Sequence, residues 1–544
     1  MPKVPRDIPT TRADFAEVIT SNSLYVDKTK QIYDCFLGKE KYFFLARPRR
    51  FGKSLLCSTL RELFLGNKEL FKGLWIEKSD WAWDKHPIIH LDMTLAAGTN
   101  NSLENMHEAL RNQLKDVAVA YKIKIDATQT VNNIFGRTIH ALHTKTKKPV
   151  VVIIDEYDKP ILDLVDNPEE RNRIHKELRD FYAPLKPLEK HLRFVFFTGV
   201  YKFTQTSIFS NLNNLQDLTF DRQAGTLIGY TEKELREFFA PEVSLLADKL
   251  KITVPQIVSQ LREKYNGYSF GVDVDTGQLS ERVYNSFAMN NVFAKLELVK
   301  KWFASGSPRF LIKKIEEGNF EPISAEGFEV PFDTLQTSCS PDDIDATSLM
   351  YYAGYATMQS FDAERERVRL GYPNLEVAQA TASELMKLFK KGSPTVLYDL
   401  ALDITQALQG HDFDALKELF NQALAQLTYQ IIIPQERYFQ TVILLIIQMG
   451  RLRAEADIPT NDGRMDIVIQ LKNEIIIVEL KFNLPAALGL QQIKDKDYAK
   501  KFRAEKKKLT AVGLSVQLKK KSSKTAKKAH TSVGPVVDVA WKTL

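Results

Sequence analysis

ARPRRFGKS, residues 46–54, decides how this chain is read. The apolar, aromatic run KYFFL precedes it and has strand character. LLCSTLRELF follows, with apolar residues at helical spacing. A strand, a tight basic loop and a helix opening with Lys53-Ser54 make a place for an anion. The first N–H groups of such a helix have no partner within it, and its dipole draws negative charge to that end. In a phosphate-binding loop of pattern G-x-x-x-x-G-K-[ST], the lysine reaches the β- and γ-phosphates and the hydroxyl holds Mg²⁺. Gly52, Lys53 and Ser54 occupy those places, so ATP is the expected ligand and Ser54 a candidate metal ligand. Arg49 and Arg50 are candidates for phosphate contacts, or else form salt bridges on the outside of the loop. The pattern departs at one position: Arg47 stands where the first glycine is expected.

A second stretch, KKPVVVIIDEYDKPI at 147–161, carries the reading further. A continuous apolar run, Val150 to Ile154, has the character of a strand buried on both faces of a parallel sheet. It ends in Asp155-Glu156, and open α/β sheets bind ligands at the C-terminal ends of their strands. Asp155 would hold Mg²⁺, directly or through water, and Glu156 would polarise the attacking water. The alternative is two acids that solvate the tip of a core strand. HLRFVFFTGVYK, His191 to Lys202, is another apolar strand. Thr198 at its tip is a candidate sensor of the γ-phosphate, unless its hydroxyl bonds a local backbone group. Strands alternating with helices predict a parallel α/β sheet.

The chain has 544 residues, 44% hydrophobic and 26% charged, as in an ordinary soluble protein of several domains. Three cysteines, Cys35, Cys57 and Cys339, show no metal-ligand spacing and no disulfide framework, which fits a reducing, cytoplasmic compartment. The N-terminus lacks the apolar core of a signal peptide. TVILLIIQM is too short to span a bilayer and reads as a buried helix, so no membrane partner is expected. The net charge of +7 is uneven. Residues 500–528 hold twelve Lys and Arg against the single acid Glu505. Such a segment is an electrostatic footprint for DNA or RNA, or a solvated lysine-rich loop.

A second chemistry lies near the other end, in the order YFQTVILLIIQMG, RLRAEADI, GRMDIVIQ, NEIIIVELKF and QQIKDKDYAKKF. This reads helix, strand, strand, strand, helix. Asp466 lies early in the second strand, and Glu479 and Lys481 near the end of the third. Alternation places Glu479 and Lys481 on one face and Leu480 on the other. Two acids on neighbouring strands can hold one or two Mg²⁺ or Mn²⁺ ions, and the lysine can orient or deprotonate a water attacking a phosphodiester. The alternative is a cross-strand salt bridge on an ordinary sheet. The set resembles the PD-(D/E)XK signature, in which Asp466, Glu479 and Lys481 match the three defining positions. Gln492, read as opening the following helix, and Tyr498 match the Q-x(5)-Y element of that family. Glu436, on the preceding helix, sits where an additional acidic ligand is common, or is an acid favoured by the helix dipole.

Taken together, SLYVDKT, ARPRRFGKS, VVVIIDEYDKP, FTGVYKFTQTSIFSNLNNL, REKYNGYSFG, VYNSFAMNNVF and MYYAGYATM resemble, in that order, the AAA-ATPase-like family of bacterial proteins that end in a PD-(D/E)XK nuclease-like domain. The resemblance covers most of the chain and implies an ATP-binding core, a lid and a nuclease-like end. Within that family the RPRRFGKS loop is the usual form of the phosphate-binding loop. The expected fold is therefore α/β: an AAA-like P-loop core over residues 1–230, a mainly helical lid and middle region over 231–428, and a restriction-endonuclease-like α/β domain over 429–544. The expected activity is ATP binding and hydrolysis that gates a metal-dependent nuclease. The rival expectation is a regulatory ATPase or nucleotide-switch scaffold whose C-terminal domain binds nucleic acid or protein without cutting. Oligomeric state is open.

Overall fold

The computed structural model describes the chain except residues 1–6, 39, 98–101, 165–166, 203–211, 213, 299–327, 337–345, 389–393, 427–434, 461–462, 506 and 522–531. Five strands, β1 (Tyr42–Ala46), β2 (Ile88–Asp92), β3 (Val150–Asp155), β4 (Leu192–Gly199) and β5 (Gln216–Asp217), form a parallel sheet in the order β2-β3-β4-β1-β5. β1 and β3 are buried along their whole length, as their unbroken apolar sequences require. Helices return the chain between strands. Lys53–Phe64 follows β1, Leu103–Ala120 and Val131–Thr146 precede β3, and Pro168–Tyr182 precedes β4. Ser102 and Asn167 begin two of these helices by accepting the backbone N–H three residues on. In register, Asp92 lies beside Asp155 and Ala46 beside Gly199, so the strands end along one edge.

β6 (Tyr230–Thr231) and β7 (Val283–Tyr284) pair beside a helical layer. Helices Glu232–Phe238, Ala240–Leu250, Val254–Tyr265 and Ser286–Lys295 share a core of Leu235, Val243, Leu246, Leu261, Val292 and Phe293. Thr231 and Glu234 close a capping box at the start of the first of them. β8 (Phe328–Pro331), β9 (Thr357–Asp362) and β10 (Arg367–Gly371) form a small sheet in the order β8-β10-β9.

Two compact units divide the described residues, the second running from Asn374 onward with Phe328 added, so that it starts ahead of the boundary expected at 428/429. Burial gives the reason. Leu397, Ile404 and Leu408 of helix Pro394–Gly410, and Phe413, Leu416 and Phe420 of helix Phe413–Ala425, share one core with the C-terminal sheet. The described residues up to Pro373, Phe328 excepted, belong with the parallel sheet instead.

The second unit carries β11 (Arg453–Thr460), β12 (Gly463–Gln470), β13 (Glu474–Phe482), β14 (Lys508–Lys521) and β15 (Ser532–Thr543), paired in sequence order. Only β13 and β14 run parallel. On one face Ile476, Val478 and Leu480 pack towards helix Glu436–Met449, which contains the apolar TVILLIIQM. On the other, Ile475 and Ile477 pack with Ile493, Tyr498 and Phe502. No helix among the described residues is long and apolar enough to cross a membrane. Most of the lysine-rich stretch between β14 and β15 lies outside the described residues.

Candidate functional site

The N-terminal constellation is built where β1, β4 and β3 end. Gly52 adopts φ 99°, a left-handed conformation that glycine accepts without strain, and the helix starts at Lys53. Lys53 Nζ donates to the carbonyls of Arg47 (3.1 Å) and Pro48 (3.2 Å) and lies 3.2 Å from Glu156 Oε1. Ser54 is hydrogen-bonded to Asp155. Burial, and then the charge of Glu156, push the Asp155 carboxyl up to about 6. Its Oδ1 is buried without a hydrogen-bond partner. A buried carboxylate oxygen left unpaired beside a serine hydroxyl suits a hard cation that takes oxygen ligands.

These groups open on a cavity of about 480 Å³. Lys53, Ser54 and Glu156 line one part of it, and Tyr25, Ile228 and Phe287 another. Arg50 also lines the cavity, with its guanidinium 4.1 Å from the Phe287 ring centroid. Arg49 is exposed at the loop surface. Thr198 sits between the loop strand and the Asp155 strand, but its hydroxyl donates to Leu45 O at 2.8 Å. The structure thus gathers Gly52, Lys53, Ser54, Asp155 and Glu156, and leaves the Thr198 hydroxyl engaged with backbone.

Asp158 was not singled out from the sequence. It is fully buried, and its Oδ2 accepts the N–H groups of Val200 (3.0 Å) and Tyr201 (2.6 Å), fixing the exit of β4. A Cβ on Gly199 would come within 2.3 Å of Asp158 Oδ1, so glycine is required there. The signal is present in the sequence as the third acid of DEYD, but its partners lie more than forty positions on.

The C-terminal constellation forms where β12 and β13 part. Their ladder runs from Gln470 opposite Ile475 to Ile467 opposite Val478. One step further, Asp466 Oδ2 accepts the N–H of Leu480 at 2.7 Å. Glu479 and Lys481 share a face, with Lys481 Nζ 3.2 Å from Glu479 Oε1 and 2.8 Å from Leu480 O. Gln492 Nε2 donates to Glu479 Oε1 and lies 3.4 Å from the Tyr498 hydroxyl, which donates to Arg464 O at 2.8 Å. Gln492 does not open its helix. The helix begins at Ala486 after Pro485, whose fixed φ suits an N-terminal start, and Gln492 lies in its second half. Gly489 and Gly513 let that helix rest on the sheet, since a Cβ at Gly489 would lie 2.7 Å from Glu479 O and one at Gly513 2.0 Å from Ala486 O.

Burial raises the Glu479 carboxyl well above the usual range, the Asp466 charge adds to this, and Lys481 opposes it. Glu479 Oε2 is buried without a hydrogen-bond partner. No group of three or more acids, histidines or cysteines placed to bind a metal occurs among the described residues. Two carboxylates are nonetheless enough for Mg²⁺, which keeps several of its waters and takes few protein ligands. Asp466 and Glu479 fit such an ion. Glu436 Oε2 accepts the N–H of Phe482 at 3.0 Å, at the end of the Glu-Leu-Lys strand. Gln440, overlooked in the sequence, donates to Asp466 O at 2.9 Å and ties the preceding helix to the site.

Comparison with known proteins agrees with both ends. A family model described as "Predicted AAA-ATPase" matches residues 9–209, and one described as "PD-(D/E)XK nuclease superfamily" matches residues 434–526. A protein of Azotobacter chroococcum mcd 1, described as an uncharacterized protein in the vnfD 5′ region, is 33% identical over 502 residues, covering 90% of this chain and 92% of the relative. With Lys53, Ser54, Asp155 and Glu156 inside the first matching region and Asp466, Glu479 and Lys481 inside the second, the chain belongs to the family of predicted AAA-ATPases that carry a PD-(D/E)XK nuclease superfamily domain.

Proposed function

We propose that the protein binds and hydrolyses ATP at its N-terminal site and cleaves nucleic acid at its C-terminal site, with the nucleotide state gating cleavage. The observation that carries this reading is common to both places. In each, a buried carboxylate oxygen without a partner, Asp155 Oδ1 or Glu479 Oε2, belongs to a cluster that includes a lysine. At the first site Lys53, Gly52 and Ser54 would hold the phosphates, with Arg49 and Arg50 as further contacts, and Ser54 and Asp155 would hold Mg²⁺. Glu156 would orient the attacking water. Thr198 would act through backbone, keeping β4 against β1, rather than by touching phosphate.

At the second site Asp466 and Glu479 would hold Mg²⁺ or Mn²⁺, which when bound supplies charge neutralisation and Lewis acidity at the phosphodiester. Lys481 would orient the water that attacks phosphorus, and Gln492 would hold Glu479 in place. Lys500, Lys501, Arg503 and Lys508 are exposed and would draw the nucleic-acid backbone without reading bases. The remaining lysines of 500–528 would add to this term.

The test measures ATP turnover and cleavage of labelled DNA and RNA in one preparation, with Mg²⁺ or Mn²⁺. The reading expects Glu156→Gln to stop turnover and Lys481→Ala to stop cleavage. ATP turnover with no cleavage of any substrate would leave a regulatory ATPase that binds nucleic acid only.

A further inference from the structure

Arg47 occupies the place where a phosphate-binding loop ordinarily has its first glycine. A glycine there lets the backbone wrap closely around phosphate. Here the side chain is 1% exposed and turned into the protein. Nη1 donates to Ala46 O at 2.8 Å and to Thr219 O at 2.7 Å, and Nη2 to Ala224 O at 3.1 Å. The guanidinium carbon lies 4.7 Å from the centroid of the Phe270 ring. A planar, rigid fork of donors satisfies several carbonyls at once, which a lysine cannot do in the same way.

The main chain of the same residue faces the other way. Arg47 N donates to Gly199 O at 3.0 Å, at the tip of β4, and Arg47 O accepts Lys53 Nζ at 3.1 Å. One residue therefore joins the tip of β4 and the lysine cradle to the segment 219–224 and the YNGYSFG stretch. Phe51 reinforces the link, with its ring 4.8 Å from Tyr268 and 5.1 Å from Phe270, both edge-on. The loop is braced from outside instead of being made supple by a glycine.

We infer that Arg47 is a positioning residue for the phosphate-binding lysine: its anchored guanidinium fixes the Arg47 and Pro48 carbonyls from which Lys53 reaches the phosphates. This inference rests on the nucleotide-binding reading of the site. It makes Arg47 act through Lys53, so the two effects cannot be independent. Two residues that act through one another give non-additive losses in a double-mutant cycle, whereas a general loosening of the fold adds.

The experiment is ATP binding by the full chain, measured with a fluorescent ATP analogue, for wild type, Arg47→Met, Lys53→Ala and the double variant. The expected result is a loss of about tenfold in affinity for Arg47→Met alone, and less than about twofold when the same change is made in Lys53→Ala. Equal factors in both backgrounds, or no loss in either, would overturn the inference. Wild type without measurable ATP binding would instead overturn the nucleotide reading itself. Should Arg47→Met not fold, Phe270→Leu removes the ring beneath the guanidinium and leaves a smaller apolar side chain in its place. It is expected to follow the same pattern with a smaller factor, and an additive result for it would overturn the inference equally.

Discussion

Lys53 Nζ and Glu156 Oε1 lie 3.2 Å apart, with the lysine side chain 2% exposed and the glutamate 19%. A carboxylate at that distance competes with a phosphate for the Lys53 ammonium. Glu156 also adopts φ 51°, a left-handed conformation costing a non-glycine residue roughly 1–2 kcal/mol. Glu156→Gln removes the ion pair together with the carboxylate proposed to orient the attacking water. ATP binding should be retained or tightened, while turnover falls by about 100-fold or more. Equilibrium binding and steady-state hydrolysis on one preparation check this; unchanged turnover would remove Glu156 from the chemistry.

Asp466, Glu479 and Lys481 belong to the second compact unit, and Lys53 and Glu156 to the first. Asp466→Asn, Glu479→Gln or Lys481→Ala should each lower metal-dependent cleavage by about 1,000-fold or more. ATP affinity should stay within about twofold, because none of the three lies in the unit that holds Lys53 and Glu156. Parallel loss of ATP binding would mean that the substitutions act on folding.

The Glu479 carboxyl is raised by burial first and by Asp466 second, so it binds its proton more tightly in the folded state than in the unfolded one. The metal-free protein should therefore lose stability as pH rises from the usual glutamate range towards neutrality. Asp155 and Asp158 are raised by burial too and slope the same way, so the comparison with Glu479→Gln isolates the one group. Melting temperature without metal, followed from about pH 5 to about pH 8, should fall more steeply in wild type than in Glu479→Gln. Mn²⁺ should restore wild type most at the high end, where it no longer competes with a proton. Identical slopes would show that Glu479 does not carry the effect.

Lys28 and Glu234 form an ion pair of 2.7 Å whose side chains are only 9% and 11% exposed. Lys28 Nζ also donates to Thr226 O at 2.9 Å. Breaking a buried pair strands its partner charge, so Lys28→Met should cost about 3–5 kcal/mol. Adding Glu234→Leu should recover much of that loss. Chemical denaturation of the single and double variants checks the sign of the recovery.

A Cβ on Gly489 would meet Glu479 O at 2.7 Å and Gly513 Cα at 3.0 Å. Both neighbours are strand backbone and cannot yield, so helix Ala486–Asp495 must lift. Gly489→Ala should cost about 1–3 kcal/mol of stability. It should also reduce cleavage, because Gln492 on that helix reaches Glu479. Full activity in a destabilised variant would show that Gln492 has no positioning role.

Strands Val150–Asp155 and Glu474–Phe482 are legible because they declare themselves by local apolar runs, whereas the polar pair Gln216–Asp217 gives no such signal. Asp466, Glu479 and Lys481 come together through alternation on adjacent strands, which spacing already implies. What the sequence hid depends on distant partners. Arg47 finds its carbonyls at Thr219 and Ala224, and Asp158 its N–H groups at Val200 and Tyr201. No local pattern reports such contacts. The unit boundary was hidden for a related reason: an amphipathic helix at Pro394–Gly410 shows that it packs, but not against which sheet. The start of helix Ala486–Asp495 is readable from Pro485, whereas the Q-x(5)-Y spacing carries no information about where that helix begins.

The most direct test of the central claim is cleavage of labelled single- and double-stranded DNA and RNA with Mn²⁺ or Mg²⁺, across a range of ATP concentrations. Wild type, Lys53→Ala and Lys481→Ala are compared. The account predicts cleavage by wild type that changes with ATP, cleavage by Lys53→Ala that does not, and none by Lys481→Ala. Cleavage that is the same at every ATP concentration would contradict gating, and cleavage that survives Lys481→Ala would contradict the site itself.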